Sequence, residues 1–265
     1  MSLFDSSYLY CIGLDTPADA DDSIVAEFDE FYTRVHMPDV LAENPGFTLG
    51  HRYELSVPDD RGLPAPRWVA FYETDAEGAR RYVERDESTG TSDRPAYTEG
   101  PIPWPGLRPA WRVIWRRVHQ VGVAPSSVDS IRFVGMDVPP HTTDRELEEF
   151  NDFYSTVHVP EALELAHCQR GTQFEAWWRP ESHVARVPRF CAVYETDPDA
   201  ARASEKAWAE LAAGSRPDAF SPGPRAWQDK LPAWRVTYKR LASPARPRER
   251  GQARRVACGP NERGE

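Results

Sequence analysis

One set of residues occurs twice in this chain. Phe28, Phe31, Tyr32, Val35, His36 and Pro38 return 122 positions later as Phe150, Phe153, Tyr154, Val157, His158 and Pro160. The match extends to both sides: Gly13 and Asp15 return as Gly135 and Asp137, and Tyr72-Glu73-Thr74-Asp75 returns as Tyr194-Glu195-Thr196-Asp197. Pro109-Ala110-Trp111-Arg112-Val113 returns one residue later in register, as Pro232-Ala233-Trp234-Arg235-Val236. An offset held between 121 and 123 over most of the chain is not produced by chance, so the chain reads as a duplication joined near residues 121–130.

Each copy predicts the same elements. Residues 8–14 and 131–136 are short runs of strand formers ending near an Asp. Ile24, Phe28, Phe31 and Val35, matched by Leu147, Phe150, Phe153 and Val157, then fall at helical spacing. Asp21 and Thr143 stand as N-caps, and Glu146 completes a capping box with Thr143. Two strands follow in each copy, over 47–55 and 68–73, and over 172–178 and 190–195. Asp75 and Asp197 open a second helix, and a Pro/Gly-rich loop leads to a last strand at 111–118 or 234–241. The order is βαββαβ, twice.

A unit of that order makes a four-stranded sheet with both helices on one face, which leaves the other face uncovered. In Trp68-Val69-Ala70-Phe71-Tyr72, alternation puts Val69 and Phe71 on one side and Trp68, Ala70 and Tyr72 on the other. Both sides are apolar. The two bare faces are therefore expected to pack on each other, giving an α+β pseudo-dimer of two ferredoxin-like units in one chain: 1–122, 123–242, and a basic, disordered tail at 243–265.

A net charge of −10 argues against a protein whose affinity comes from neutralising phosphates, so nucleic acid is not an expected partner. No run approaches membrane-spanning length and no leader pattern opens the chain, which predicts a cytoplasmic protein. Cys11, Cys168, Cys191 and Cys258 form no C-x-x-C pair, and neither a disulfide framework nor a metal site is expected. A phosphate-cradling Gly loop, a Gly-x-Ser-x-Gly elbow and a His-x-x-x-His pair are all missing from the sequence, which disfavours nucleotide, serine-hydrolase and metal chemistry.

The Phe31-Tyr32-x-x-Val35-His36-x-Pro38 run, the Tyr-Glu-Thr-Asp run and the Trp111-Arg112-Val113-x-Trp115 strand, each present in both copies, resemble the dimeric α/β-barrel superfamily and, within it, the EthD-like branch. The resemblance spans residues 7–242. It implies that a chain carrying both units holds both halves of a barrel that most members build from two subunits. It also implies one of several activities: lactone isomerisation, polyketide cyclisation, dehydration, cofactor-free oxidation of phenolic compounds, or haem-dependent chemistry. The resemblance makes the histidine at His36 and His158 the candidate acid–base residue.

On the residues alone, His36 and His158 lie four positions after Tyr32 and Tyr154 and so share a helix face with them. Imidazole there suits proton transfer, or alternatively caps a helix that ends before the proline. Glu54 and Glu175 occupy matched places on the second strand and are expected to point into the barrel, or else to mark a charged edge. Trp68, Tyr72, Phe190 and Tyr194 alternate on the presumed cavity face of the third strand, and Trp177 and Trp178 add bulk in the second copy only. Such surfaces suit a flat aromatic ligand, or are simply core. Arg112 and Arg235 stand as candidates for holding an acidic group, while Glu73 and Glu195 read as strand-end and cap residues.

The expected function is a cofactor-independent dehydratase, cyclase or isomerase acting on a hydrophobic, aromatic or polyketide-like small molecule. The alternatives are a cofactor-free monooxygenase, a binding protein without turnover, and a haem protein. The two sites are expected to be unequal, with His158 favoured by the neighbouring tryptophans.

Overall fold

The computed structural model describes residues 4–88, 97–103, 106–180, 187–215 and 218–246. Eight strands form one closed barrel: β1 (Tyr8–Asp15), β2 (Leu49–Val57), β3 (Trp68–Thr74), β4 (Arg108–Gly122), β5 (Ser130–Asp137), β6 (Arg170–Trp178), β7 (Phe190–Thr196) and β8 (Leu231–Ala242). Around the barrel the order is β1-β3-β2-β8-β5-β7-β6-β4. Each half contributes the ferredoxin-like order 4-1-3-2, and every neighbouring pair is antiparallel. The halves are joined by β2 with β8 and by β4 with β6, so neither half is left with an open edge. The protein is thus a pseudo-dimer of two βαββαβ units within one α+β barrel.

Helices lie outside: α1 (Asp22–Phe31), α2 (Met37–Glu43) and α3 (Ala76–Ser88) on the first half, and α4 (Asp144–Phe153), α5 (Val159–Leu165), α6 (Ala201–Ala212) and α7 (Arg225–Gln228) on the second. The Thr143–Glu146 capping box forms as expected, whereas Asp21 makes no side-chain cap.

The barrel interior is packed solid. Leu9, Cys11, Tyr53, Val69, Phe71, Trp111 and Val113 meet Phe133, Phe174, Cys191, Val193, Trp234 and Val236. Trp111 and Trp234, matched by the repeat, stack with centroids 4.1 Å apart. Trp234 also explains one glycine of the repeat, since a Cβ on Gly135 would lie 2.6 Å from it, whereas a Cβ on Gly13 would meet Pro66 at 2.5 Å. The expected cavity between the sheets is therefore replaced by core, because large aromatics from both sheets interdigitate there.

Residues 243–246, expected to belong to the tail, are placed on the barrel. Gly50 N–H donates to Pro244 O and Arg246 N–H donates to Thr48 O, so residues 243–246 run beside β2. Residues 247–265, including Cys258, lie outside the described residues.

Candidate functional site

The site begins with a proline. Pro38 has no N–H, and in an unbroken α-helix its ring would collide with the carbonyl four residues back. The chain responds with a π-turn over Tyr32–His36, in which Met37 N–H donates to Tyr32 O five residues earlier, and the helix then resumes as α2. Tyr154–His158 does the same before Pro160. Neither histidine ends its helix, so the expectation of a C-terminal cap is overturned. The wider turn brings His36 against Tyr32, ring centroids 4.7 Å apart.

A cavity of about 380 Å³ lies between this turn, α3 and strands β1, β3 and β4. Its wall is phenolic: Tyr10, Tyr32, Tyr72, Tyr82 and Tyr97, with Ile12 and Val40. The polar groups are His36, Arg85, Asp86 and Arg112. Tyr97 reaches His36 at 5.2 Å because its loop is tied to α2, where Asn44 Nδ2 donates to Tyr97 Oη and Thr98 N–H donates to Asp39. Arg112 pairs with Asp86 and donates to Tyr82 Oη at 2.9 Å. Buried Arg52 anchors the turn from below through Asp29, the Thr33 hydroxyl at 2.7 Å and the face of Tyr32. In the second half a neutral set, Gln173 with Ser155 and Asn151, does the same work.

The sheet faces are the reverse of the expected ones. Tyr53 and Phe174 point into the barrel. Glu54 and Glu175 consequently point out, Glu54 to Arg67 at 3.0 Å and Glu175 between Arg116 and Arg189. Trp68 and Phe190 are core under the helices, 5.9 Å from Phe28 and 4.9 Å from Phe150. Tyr72 lines the cavity, whereas Tyr194 is covered by Trp208 at 5.2 Å. Tyr154 and His158 are packed by Trp227 at 5.1 and 4.3 Å, and Phe220 stands 4.7 Å from His158.

Trp177 and Trp178 do not enlarge the second half. Because β6 pairs with β4, Trp178 sits beside Tyr82 and over Arg112, and Trp177 packs edge-on to Tyr8. A residue of one half thereby borders the cavity of the other. Glu73 and Glu195 are more than caps. Glu73 accepts from His51 Nε2 at 2.7 Å and from the N–H groups of Phe4, Asp5 and Ser6, and Glu195 is clamped by Arg170. Arg235 pairs with Asp60. Of the cavity residues absent from the sequence reading, Tyr10 follows from strand alternation once the helix face is known. Tyr82 and Tyr97 have no signal, since an exposed-looking helix and a Pro-rich loop bring them in.

Burial lowers the His36 pKa from 6.5 to about 4, with Asp39 opposing and Arg52 assisting. Burial and then Lys230 lower that of His158 to about 3. Both rings are neutral near pH 7. In unfolded chains each takes a proton near pH 6.5, so this stability is present above that pH and lost as pH falls towards the folded values. Glu195 acts in the opposite sense, since burial pushes its carboxyl up to about 7 against the pull of Arg170. Comparing wild type with His36→Gln cancels that contribution. In urea titrations the wild type should lose roughly 3 kcal/mol relative to the variant between pH 6.5 and 4. Parallel pH profiles would mean that His36 is hydrated.

The architecture is that of a dimeric-α/β-barrel-type pseudo-dimer with a phenol-lined cavity on the helix side of one half. No family model and no curated protein matches the sequence. Among solved structures it is similar to an anthrone oxidase-like protein, at 14% identity over 92% of this chain and 95% of that one, with a TM-score of 0.45. It is also similar to a mutant chlorite dismutase from Candidatus Nitrospira defluvii, at 11% identity over 91% and 94% of the two chains, TM-score 0.49. Among the described residues no helix is long and apolar enough to cross a membrane, and no group of His, Cys, Asp or Glu is placed to hold a metal ion.

Proposed function

We propose that the chain is a cofactor-independent enzyme, of dehydratase, cyclase or isomerase type, that moves a proton on an aromatic small molecule held in the first-half cavity. The observation that carries this reading is the neutral, buried His36 on the wall of a cavity that five tyrosines also line. Phenol faces and edges suit a flat ring, and a ring of one or two fused members fits about 380 Å³. Neutral imidazole can take a proton, and negative charge then developing on the substrate would be stabilised by Arg112. The EthD-like kinship belongs to this proposal and rests on the Phe-Tyr-x-x-Val-His-x-Pro motif.

A second reading, binding without turnover, is favoured by one observation. A histidine whose pKa is about 4 is a weak base until a ligand's charge raises it. A haem reading fits the second half poorly, because the rings of Trp227 and Phe220 already flank His158.

Calorimetric titration with hydroxylated mono- and bicyclic aromatics should give one site per chain, and mass spectrometry of the incubated compound should show a product. Binding with unchanged compound would replace the enzyme reading by the binding one, and oxygen consumption would replace proton transfer by cofactor-free oxygenation. Two equal sites would overturn the assignment to one half. The freshly purified protein should have no visible absorption band, and a Soret band would overturn the cofactor-free reading.

A further inference from the structure

The helix-side position held by Tyr10 in the first half is held by Arg132 in the second. The register is the same: Tyr10 lies opposite Tyr72 and Ile114, and Arg132 lies opposite Tyr194 and Thr237. Tyr8 and Ile114 of the first half thus become Ser130 and Thr237. Aromatic and aliphatic groups have been exchanged, at matched strand positions, for a cation and two hydroxyls. Thr196 and Ser204 add two more hydroxyls, and together these groups line a small cavity of about 10 Å³ closed on one side by Trp208.

Arg132 is 8% exposed, and no carboxylate pairs with it among the described residues. Its Nη1 donates to the Thr237 hydroxyl at 3.2 Å, and its Nε has no partner there. Asp59 and Asp60 attract it from a distance but are already held by Arg61 and Arg235. Glu205, exposed, stands at the cavity rim. A guanidinium taken out of water without an anion is costly, and the hydroxyls and the Trp208 ring, 5.5 Å from its Cζ, offer it only dipoles and a ring face. Burial, with Arg235 assisting, lowers its pKa to about 10, which is the signature of a cation lacking its counter-charge.

We propose that this pocket between β5, β7, β8 and α6 is a binding site for a small anion, with Arg132 as its cation and the Ser130 and Thr237 hydroxyls as donors, the Thr196 and Ser204 hydroxyls being engaged with each other and with Cys168 Sγ. The space admits about one water-sized particle, so the ligand places a single atom there: a halide, or one oxygen of a carboxylate or phosphate. The site is separate from the aromatic cavity and does not depend on the function proposed for it.

Chloride NMR line broadening on the full chain tests the proposal. Wild type should give saturable broadening, and Arg132→Met should bind chloride at least about tenfold more weakly while melting normally. Displacement of chloride by acetate or by inorganic phosphate at lower concentration than chloride itself would support the site and name the oxyanion. Should Arg132→Met not fold, Arg132→Lys and Thr237→Val decide, each expected to weaken binding severalfold. Absence of saturable broadening, or equal broadening in wild type and all of these variants, would overturn the proposal and leave water as the occupant.

Discussion

Replacing His36 by glutamine should lower turnover about 10²- to 10⁴-fold, the usual cost of losing a positioned proton-transfer group. That corresponds to about 3 to 5 kcal/mol on the barrier. The same replacement at His158 should leave the rate unchanged, because Trp227 and Phe220 occupy the space a substrate would need beside that ring. The tryptophans that made His158 the better candidate on sequence belong spatially to the first half. Glutamine keeps a polar side chain of similar length, so both variants should remain folded, which melting curves would establish. Unchanged affinity with a reduced rate in His36→Gln would identify the residue as acting on the bound substrate. Normal turnover in that variant, with a normal melt, would remove His36 from the mechanism.

Residues 1–122 expressed alone should self-associate or aggregate. In the intact chain the inner face of the first sheet, with Leu9, Cys11, Tyr53, Phe71, Trp111 and Trp115, is covered by the second. Uncovering roughly 600 Å² of such surface would forfeit up to about 15 kcal/mol, as much as a typical domain's whole stability. The isolated unit would also expose one edge of β2 and one edge of β4, since the outer partner of each strand lies in the second half. Those edges and that face give the fragment a route to pair with a second copy of itself. Co-expression with residues 123–242 should suppress the self-association. A monomeric 1–122 fragment with cooperative unfolding, by light scattering and urea titration, would show that the inter-sheet core is not what holds the unit together.

The repeat, the βαββαβ order and all eight strands are determined by the sequence itself, because each rests on a local period or on a residue that interrupts one. The Thr143–Glu146 cap is local in the same way. That His36 shares a side with Tyr32, and Tyr72 with Trp68, depends only on near neighbours; which cavity His36, Tyr32 and Tyr72 line does not, and it lies on the helix side rather than inside the barrel. Pro38 is read correctly as an interruption and wrongly as a stop, because a π-turn relieves the same clash while keeping the helix.

What remained for tertiary structure was direction. Period-two alternation separates Tyr53 from Glu54 and Val69 from Trp68, but both sets on β3 are apolar. Nothing local says which one meets helices and which one meets the other sheet. The barrel decided it by stacking Trp111 on Trp234, and the cavity went to the helix side. Strand pairing across the halves likewise carried Trp178 to Tyr82, a contact between residues nearly a hundred positions apart. Among the described residues the halves differ at Trp208, which covers Tyr194 where Asp86, its match in the first half, lines the cavity; its packing partner lies on another element and leaves no mark on its own neighbours in the chain.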